Sequence, residues 1–183
     1  DWYTVLIGLL SLATLAVHGA HYVAVKTSGD LHTRARAVGR AVWYGVVAMT
    51  VVSLIATLRV RPEVLANYRA HPWGWAIPAV VGCTLVAMPY YASLGRSQRA
   101  FTASAVFITA MIAGAAFALY PVLLPSSTDP RYSLTIYNAQ TGAYSLRIGL
   151  VWWALGIALA VAYFAILYRS FRGNVASEDE FDH

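Results

Sequence analysis

Charge is scarce in this chain of 183 residues: Asp, Glu, Lys and Arg together make up 11%, against about 25% in a typical soluble domain. That is too little to clothe a water-soluble core in a hydrated surface. Cysteine is scarcer still. The single Cys83 lies inside an apolar run, which excludes an internal disulfide and a cysteine-based metal cluster and leaves a small core hydrophobe. The formal charge of +5 is spread over connecting segments. It forms no basic recognition helix, so a nucleic-acid partner is excluded. No Asp, Glu, Lys or Arg falls deep inside a long apolar run, which argues against a self-contained proton pump or ion-coupled carrier. No phosphate-binding loop or dinucleotide fingerprint occurs, and no Ser-His-acid set can be assembled from neighbouring motifs. The chain opens on Asp1, Trp2 and Tyr3 without a methionine, a basic leader or a cleavage site, and it reads as the later part of a larger protein.

What the sequence has in abundance is apolar surface: 59% of its residues are hydrophobic, and the mean hydropathy is +0.58. A hydrocarbon layer about 30 Å thick needs roughly 20 apolar residues per helical span. Five runs meet or approach that length: 2–25, 41–58, 73–95, 101–124 and 148–168. Lipid offers no partners to open strand edges, so these runs are expected to be helices. The expected fold is an all-α integral membrane protein, a four-helix transmembrane bundle plus one additional transmembrane helix, in a single membrane domain over 1–183. Trp2, Tyr3, Trp43, Tyr44, Trp73, Trp75, Trp152 and Trp153 fall near the expected span ends, where amphipathic rings suit the membrane interface.

Orientation follows from the basic residues. Lys26, Arg34, Arg36, Arg40, Arg96, Arg99, Arg169 and Arg172 lie on one side of this topology, and Arg59, Arg61, Arg69, Arg131 and Arg147 on the other. The excess assigns the first side, and with it the carboxyl end, to the cytoplasm. Within the spans, Ala110, Gly114 and Ala118, and again Gly156 and Ala160, recur at the four-residue interval that lets helices approach closely. Pro78 and Pro89 are expected to bend the third span. His18 and His21 share one side of the first span. An imidazole pair there has two readings: a haem or metal ligand, or ordinary polar packing between helices, which is the favoured one. The segment 26–39 reads as a polar loop with a short surface helix. The segment 125–145 is the longest connection, with Pro125 and Pro130 to stiffen it and Ser, Thr and Asn to cap exposed backbone groups. It is expected to cover the outer end of the bundle. The tail SEDEFD is acidic and reads as loose.

Four motifs in order resemble one family. They are the first span followed by KTSGDLHTRAR, then WAIPA at 75–79, then YPVLLPSSTDPRYSLTIYNA at 120–139, and the closing span with YRSFRG. The chain resembles the carboxyl-terminal half of subunit II of cytochrome bd-type quinol oxidases, over essentially its whole length. The residues that carry the match are Lys26 and Gly29 in the first loop, Trp75 and Pro78, then Pro125, Ser126 and Ser127, and Asn138. The resemblance implies a multi-pass protein of the bacterial inner membrane that takes part in the passage of electrons from quinol to oxygen. It implies that haem b and haem d belong to a partner, subunit I, and that this chain carries no cofactor, metal ligand or catalytic residue. It further implies that an amino-terminal half of the same subunit is missing here, with membrane lipid and quinone as additional contacts. The family accepts glutamine at the position of His18, which a haem ligand would not allow. The rival readings are a membrane anchor of another respiratory complex and a small transporter fragment.

Overall fold

The computed structural model describes residues 1–126 and 128–170. Ser127, Arg172, the end of YRSFRG and the acidic tail lie outside the described residues. The chain divides into two compact units, one containing Asp1–Ala118 and the other beginning at Leu119.

Helix α1 (Trp2–Lys26) starts where the Asp1 side chain accepts the Tyr3 amide at 3.2 Å. It stops at Thr27, which is extended and hydrogen-bonds through its hydroxyl to the Val23 carbonyl. The chain reverses at Gly29, whose φ of +66° is open to glycine and strained for other residues. Helix α2 (Gly29–Val60) then returns along α1. The two are tied near one end by Tyr3 Oη and Thr57 Oγ1 at 2.9 Å. They pack closely at Gly39, where a Cβ would sit 3.3 Å from that of Ala20.

The second span was expected over 41–58 behind a polar loop, but α2 begins twelve residues earlier, at Gly29. The reason lies in its spacing. Ala35 and Gly39 are four apart and buried, while Asp30, Arg34 and Arg40 point to water-accessible surface. His32 Nδ1 meets the Ala24 carbonyl at 2.8 Å. One narrow apolar seam is enough to hold these turns against α1, whatever the polarity of the other faces. At 32 residues, α2 is about 48 Å long and outruns the hydrocarbon layer.

A one-turn helix α3 (Leu65–Ala70) and a 3₁₀ turn, Pro72–Trp75, lead into α4 (Ala76–Ser93). Pro78 falls in the first turn of α4, where its missing amide has no helical partner to lose. Pro89 lies inside the helix and removes one internal hydrogen bond. The helix ends with the Arg96 amide on the Tyr91 carbonyl at 2.9 Å and Gly95 at φ +69°, a glycine-terminated C-cap. Helix α5 (Ser97–Leu119) follows directly.

Leu10 and Val17 from α1, Val46 from α2, Met88 from α4, and Ala103 and Phe107 from α5 form one buried cluster. Those four helices are the bundle. Trp43 takes part in it: its indole N–H donates to the Leu85 carbonyl at 3.0 Å, so that ring joins helices in addition to any interfacial role.

The fourth span was expected to run to Leu124. The helix ends at Leu119, and Val122–Leu124 is a strand, β1. Pro121, rather than Pro125, is the terminator, because it lacks an amide and drives Tyr120 out of the helical region. In the second unit β1 pairs antiparallel with β2 (Leu134–Thr135), with Val122 opposite Thr135. Helix α6 (Ala143–Ser170) is apolar all round, and none of its residues is buried. It starts five residues before the expected position, so Trp152 and Trp153 lie more than two turns inside it. Five helical segments are long and apolar enough to cross a membrane: Trp2–Lys26, Gly29–Val60, Pro72–Ser93, Ser97–Leu119 and Ala143–Ser170.

Candidate functional site

Three places hold the polar and aromatic residues singled out above. The first is the histidine pair on α1. His18 Nδ1 lies 2.8 Å from Ser104 Oγ on α5, and its ring stacks on Phe101 at 4.7 Å. Ser104 itself bonds back to the Phe101 carbonyl at 2.7 Å. His21 is buried against α2, with a Gly39 Cβ position 4.0 Å from its ring, and its Nε2 has no hydrogen-bond partner. His18 Nδ1 thus faces the Ser104 hydroxyl, and His21 is buried beside Gly39 of α2. Among the described residues no three His, Cys, Asp or Glu side chains gather as a metal-holding group. The geometry suits interhelical polar packing, α1 to α5 through His18. Ser104 gave no sequence signal beyond being a hydroxyl in an apolar run.

The second is an aromatic corner at the α3–α4 connection. Trp75 lies 5.2 Å from the Tyr68 ring, Tyr68 lies 4.9 Å from Phe117, and Trp73 lies 4.9 Å from Phe117. Asn67 Nδ2 donates to the Phe117 carbonyl at 2.8 Å, satisfying a group that the end of α5 leaves open. Burial pushes the Tyr68 phenol above its ordinary range. Gly74 is buried with the Phe117 ring pressed on it. Trp75 touches this corner through the Tyr68 ring but is itself about half exposed, and Pro78 is exposed on the following turn. Gly74, Asn67 and Phe117 were not foreseen. Their relation joins residues some 40 to 50 positions apart, and no local pattern encodes it.

The third is the 120–138 segment. Ser126 receives the Thr128 and Asp129 amides on its hydroxyl, at 3.3 and 3.4 Å, and donates its own amide to Ser133 Oγ at 3.0 Å. Asn138 Oδ1 accepts the Thr135 amide at 2.6 Å, and its Nδ2 donates to the Ser133 carbonyl at 3.0 Å. The polar side chains named from the sequence thus satisfy the segment's own backbone. Arg131 grips the Asp129 carboxylate, with Nη2 at 2.8 Å, and holds its pKa below the usual carboxylate range. Because that pKa is lowered, the pair's contribution is complete above the ordinary carboxylate range and fades as pH falls through the lowered value. Pro125 is exposed. Asn138→Ala is expected to cost the segment about 1–2 kcal/mol, the worth of two partly exposed hydrogen bonds. Faster amide exchange at Thr135 is the readout, and unchanged protection would contradict the bonding.

Lys26 is half-buried in the last turn of α1, and Gly29 supplies the reversal just after it. These two candidates come together in one turn. Trp75 and Pro78 fall in another turn, and Pro125, Ser126 and Asn138 in the 120–138 segment.

The sequence model for "Cytochrome bd terminal oxidase subunit II" matches residues 1–171. The chain belongs to that family. It is 28% identical over 204 residues to cytochrome bd-I ubiquinol oxidase subunit 2 of Escherichia coli K12, across 97% of this chain and 54% of that protein. It is 25% identical to a probable cytochrome oxidase subunit 2 of Haemophilus influenzae, across 94% of this chain and 52% of the relative. Cytochrome bd ubiquinol oxidase subunit 2 of Bacillus subtilis is also similar, at 25% over 154 residues. The chain spans about half the length of the curated relatives it matches. As a member of the subunit II family it is a multi-pass membrane protein, in keeping with its five apolar helices.

Proposed function

We propose that this chain is the haem-free part of a bacterial quinol oxidase, which packs against and stabilises a haem-bearing subunit I. In the complete reaction two quinols reduce one O2 to two waters, the electrons passing through haem b and haem d of the partner. The observation that carries the reading is the family match over residues 1–171. Supporting it, the four-helix core is closed by Phe107, Met88, Val17 and Val46, so the bundle's centre is occupied by side chains. Helix α6, with no buried residue over 28 positions, leaves apolar surface for lipid or another subunit to cover. The residues Lys26, Gly29, Trp75, Pro78, Pro125, Ser126 and Asn138 are structural in this reading, and so is Ser127, which the structure does not describe.

The orientation proposed with it places Arg36 and Arg99 in the cytoplasm and Asp129 and Asn138 outside, from the bias of basic residues. Single cysteines at 36 and 138, labelled from each face of sealed vesicles, test this; outside labelling at 36 reverses the topology. The functional reading is tested by isolating the chain with its native partners through a tag on this chain. The expected preparation contains a second membrane subunit, shows b and d haem bands on reduction, and consumes oxygen with added quinol. A stable preparation without either haem, or one that moves a solute unaided, would overturn it.

A further inference from the structure

One end of the four-helix unit gathers arginines that, among the described residues, pair with no carboxylate. Arg36 on α2 donates to the Ala92 carbonyl in the last turn of α4, which brings the start of α2 beside the α4–α5 turn. That turn carries Arg96, exposed, and the first turn of α5 carries Arg99, whose guanidinium carbon lies 5.8 Å from the centroid of the Tyr91 ring. The sequence contains no Asp or Glu between Glu63 and Asp129, so α4, α5 and their turn offer no counter-charge. The nearby acid on α2, Asp30, is taken by Arg34 at 2.8 Å. Among the described residues, no ion pair involves Arg36, Arg96 or Arg99.

The surface leading to this turn is apolar. Val86, Tyr90 and Leu94 succeed one another at four-residue intervals and are 68%, 59% and 50% exposed, so they form a continuous strip along one face of α4. Guanidinium forks match phosphate oxygens in shape and charge. A strip of exposed apolar side chains ending at three guanidinium-bearing residues matches a molecule with an acyl chain at one end and a phosphate at the other. A free phosphate ion would have no use for the strip.

We propose that Arg36, Arg96 and Arg99 seat the phosphate of an anionic glycerophospholipid, with an acyl chain lying along Val86, Tyr90 and Leu94. Arg36 keeps donors to spare after bonding Ala92, because a guanidinium has five N–H groups. The site requires no assignment of which membrane face it occupies.

The test uses the purified complex containing the full chain, with fluorescent phosphatidylglycerol and phosphatidylcholine as probes. The wild-type protein is expected to prefer phosphatidylglycerol and to hold it in millimolar inorganic phosphate. Arg96→Gln with Arg99→Gln is expected to weaken phosphatidylglycerol binding roughly tenfold to thirtyfold, leaving phosphatidylcholine unchanged. Arg96→Lys with Arg99→Lys, which keeps the charge, should retain most of the binding. Equal affinity for the two lipids in the wild type would overturn the proposal. So would unchanged binding in the Gln variant, and so would displacement by millimolar phosphate, which would reveal a bare anion site. If the Gln variant does not assemble, the lipid preference and phosphate competition of the wild-type protein decide the matter.

Discussion

Phe107→Ala is expected to destabilise the bundle by about 3 kcal/mol, near the low end for an aromatic removed from a packed core. Phe107 is fully buried and sits in the same cluster as Leu10, Val17, Val46 and Met88. Truncation empties space that side chains from all four bundle helices have filled. In lipid the gain from leaving water is largely absent, so the loss is mainly of dispersion contacts and of the cavity left behind. That places the effect at the low end of the range. Ile112 on the same helix is the control, because it is 66% exposed and Ile112→Ala should change little. Thermal unfolding of both variants in one detergent provides the comparison. Equal shifts for the two would mean that Phe107 does not face the centre of the bundle.

Gly74→Ala is expected to be the most damaging small change outside the core. A Cβ at Gly74 would fall 2.3 and 2.4 Å from two carbons of the Phe117 ring, distances that real atoms do not tolerate. Either the ring turns away or the 3₁₀ turn Pro72–Trp75 shifts, and both disturb the Tyr68, Trp73 and Trp75 contacts. Overpacking of this kind costs about 1–3 kcal/mol. The diagnostic is a double-mutant cycle. Phe117→Ala should remove most of the penalty of Gly74→Ala, giving strong non-additivity between two residues in contact. Strictly additive losses would show that the two do not meet. Gly82, with nothing within 4 Å of its Cβ position, should accept alanine with little effect.

The helical spans were legible because apolar run length is a strong signal in a chain with so few charges. Their ends were less so. The start of α2 was hidden because a seam of only Ala35 and Gly39 holds a stretch that otherwise reads as polar. The end of α5 was misplaced because two prolines compete as terminators, and Pro121, the nearer, acts first. The strands β1 and β2 had no local periodicity long enough to notice, at three and two residues. The structural reason for Asn138 could be anticipated in kind, as a backbone-capping amide, whereas Gly29 was marked by the family motif alone and the reversal it supplies was not read. Nor could Ser104 beside His18 or Phe117 over Gly74 be anticipated, because those pairings exist only after helices distant in sequence have packed.

The central claim is that this chain belongs to a haem-containing oxidase without holding haem itself, and the haem content of the complex bearing His18→Gln tests it most directly. His18 is held by Ser104 and Phe101, and its replacement removes one interhelical hydrogen bond and one stacking contact. Pyridine haemochrome measurement on the assembled complex should give the same number of b and d haems as the wild type, with at most a small loss of yield. Loss of one haem per complex, or haem retained by this chain after its partner has been stripped away, would contradict the account and make the histidine pair of α1 a cofactor site.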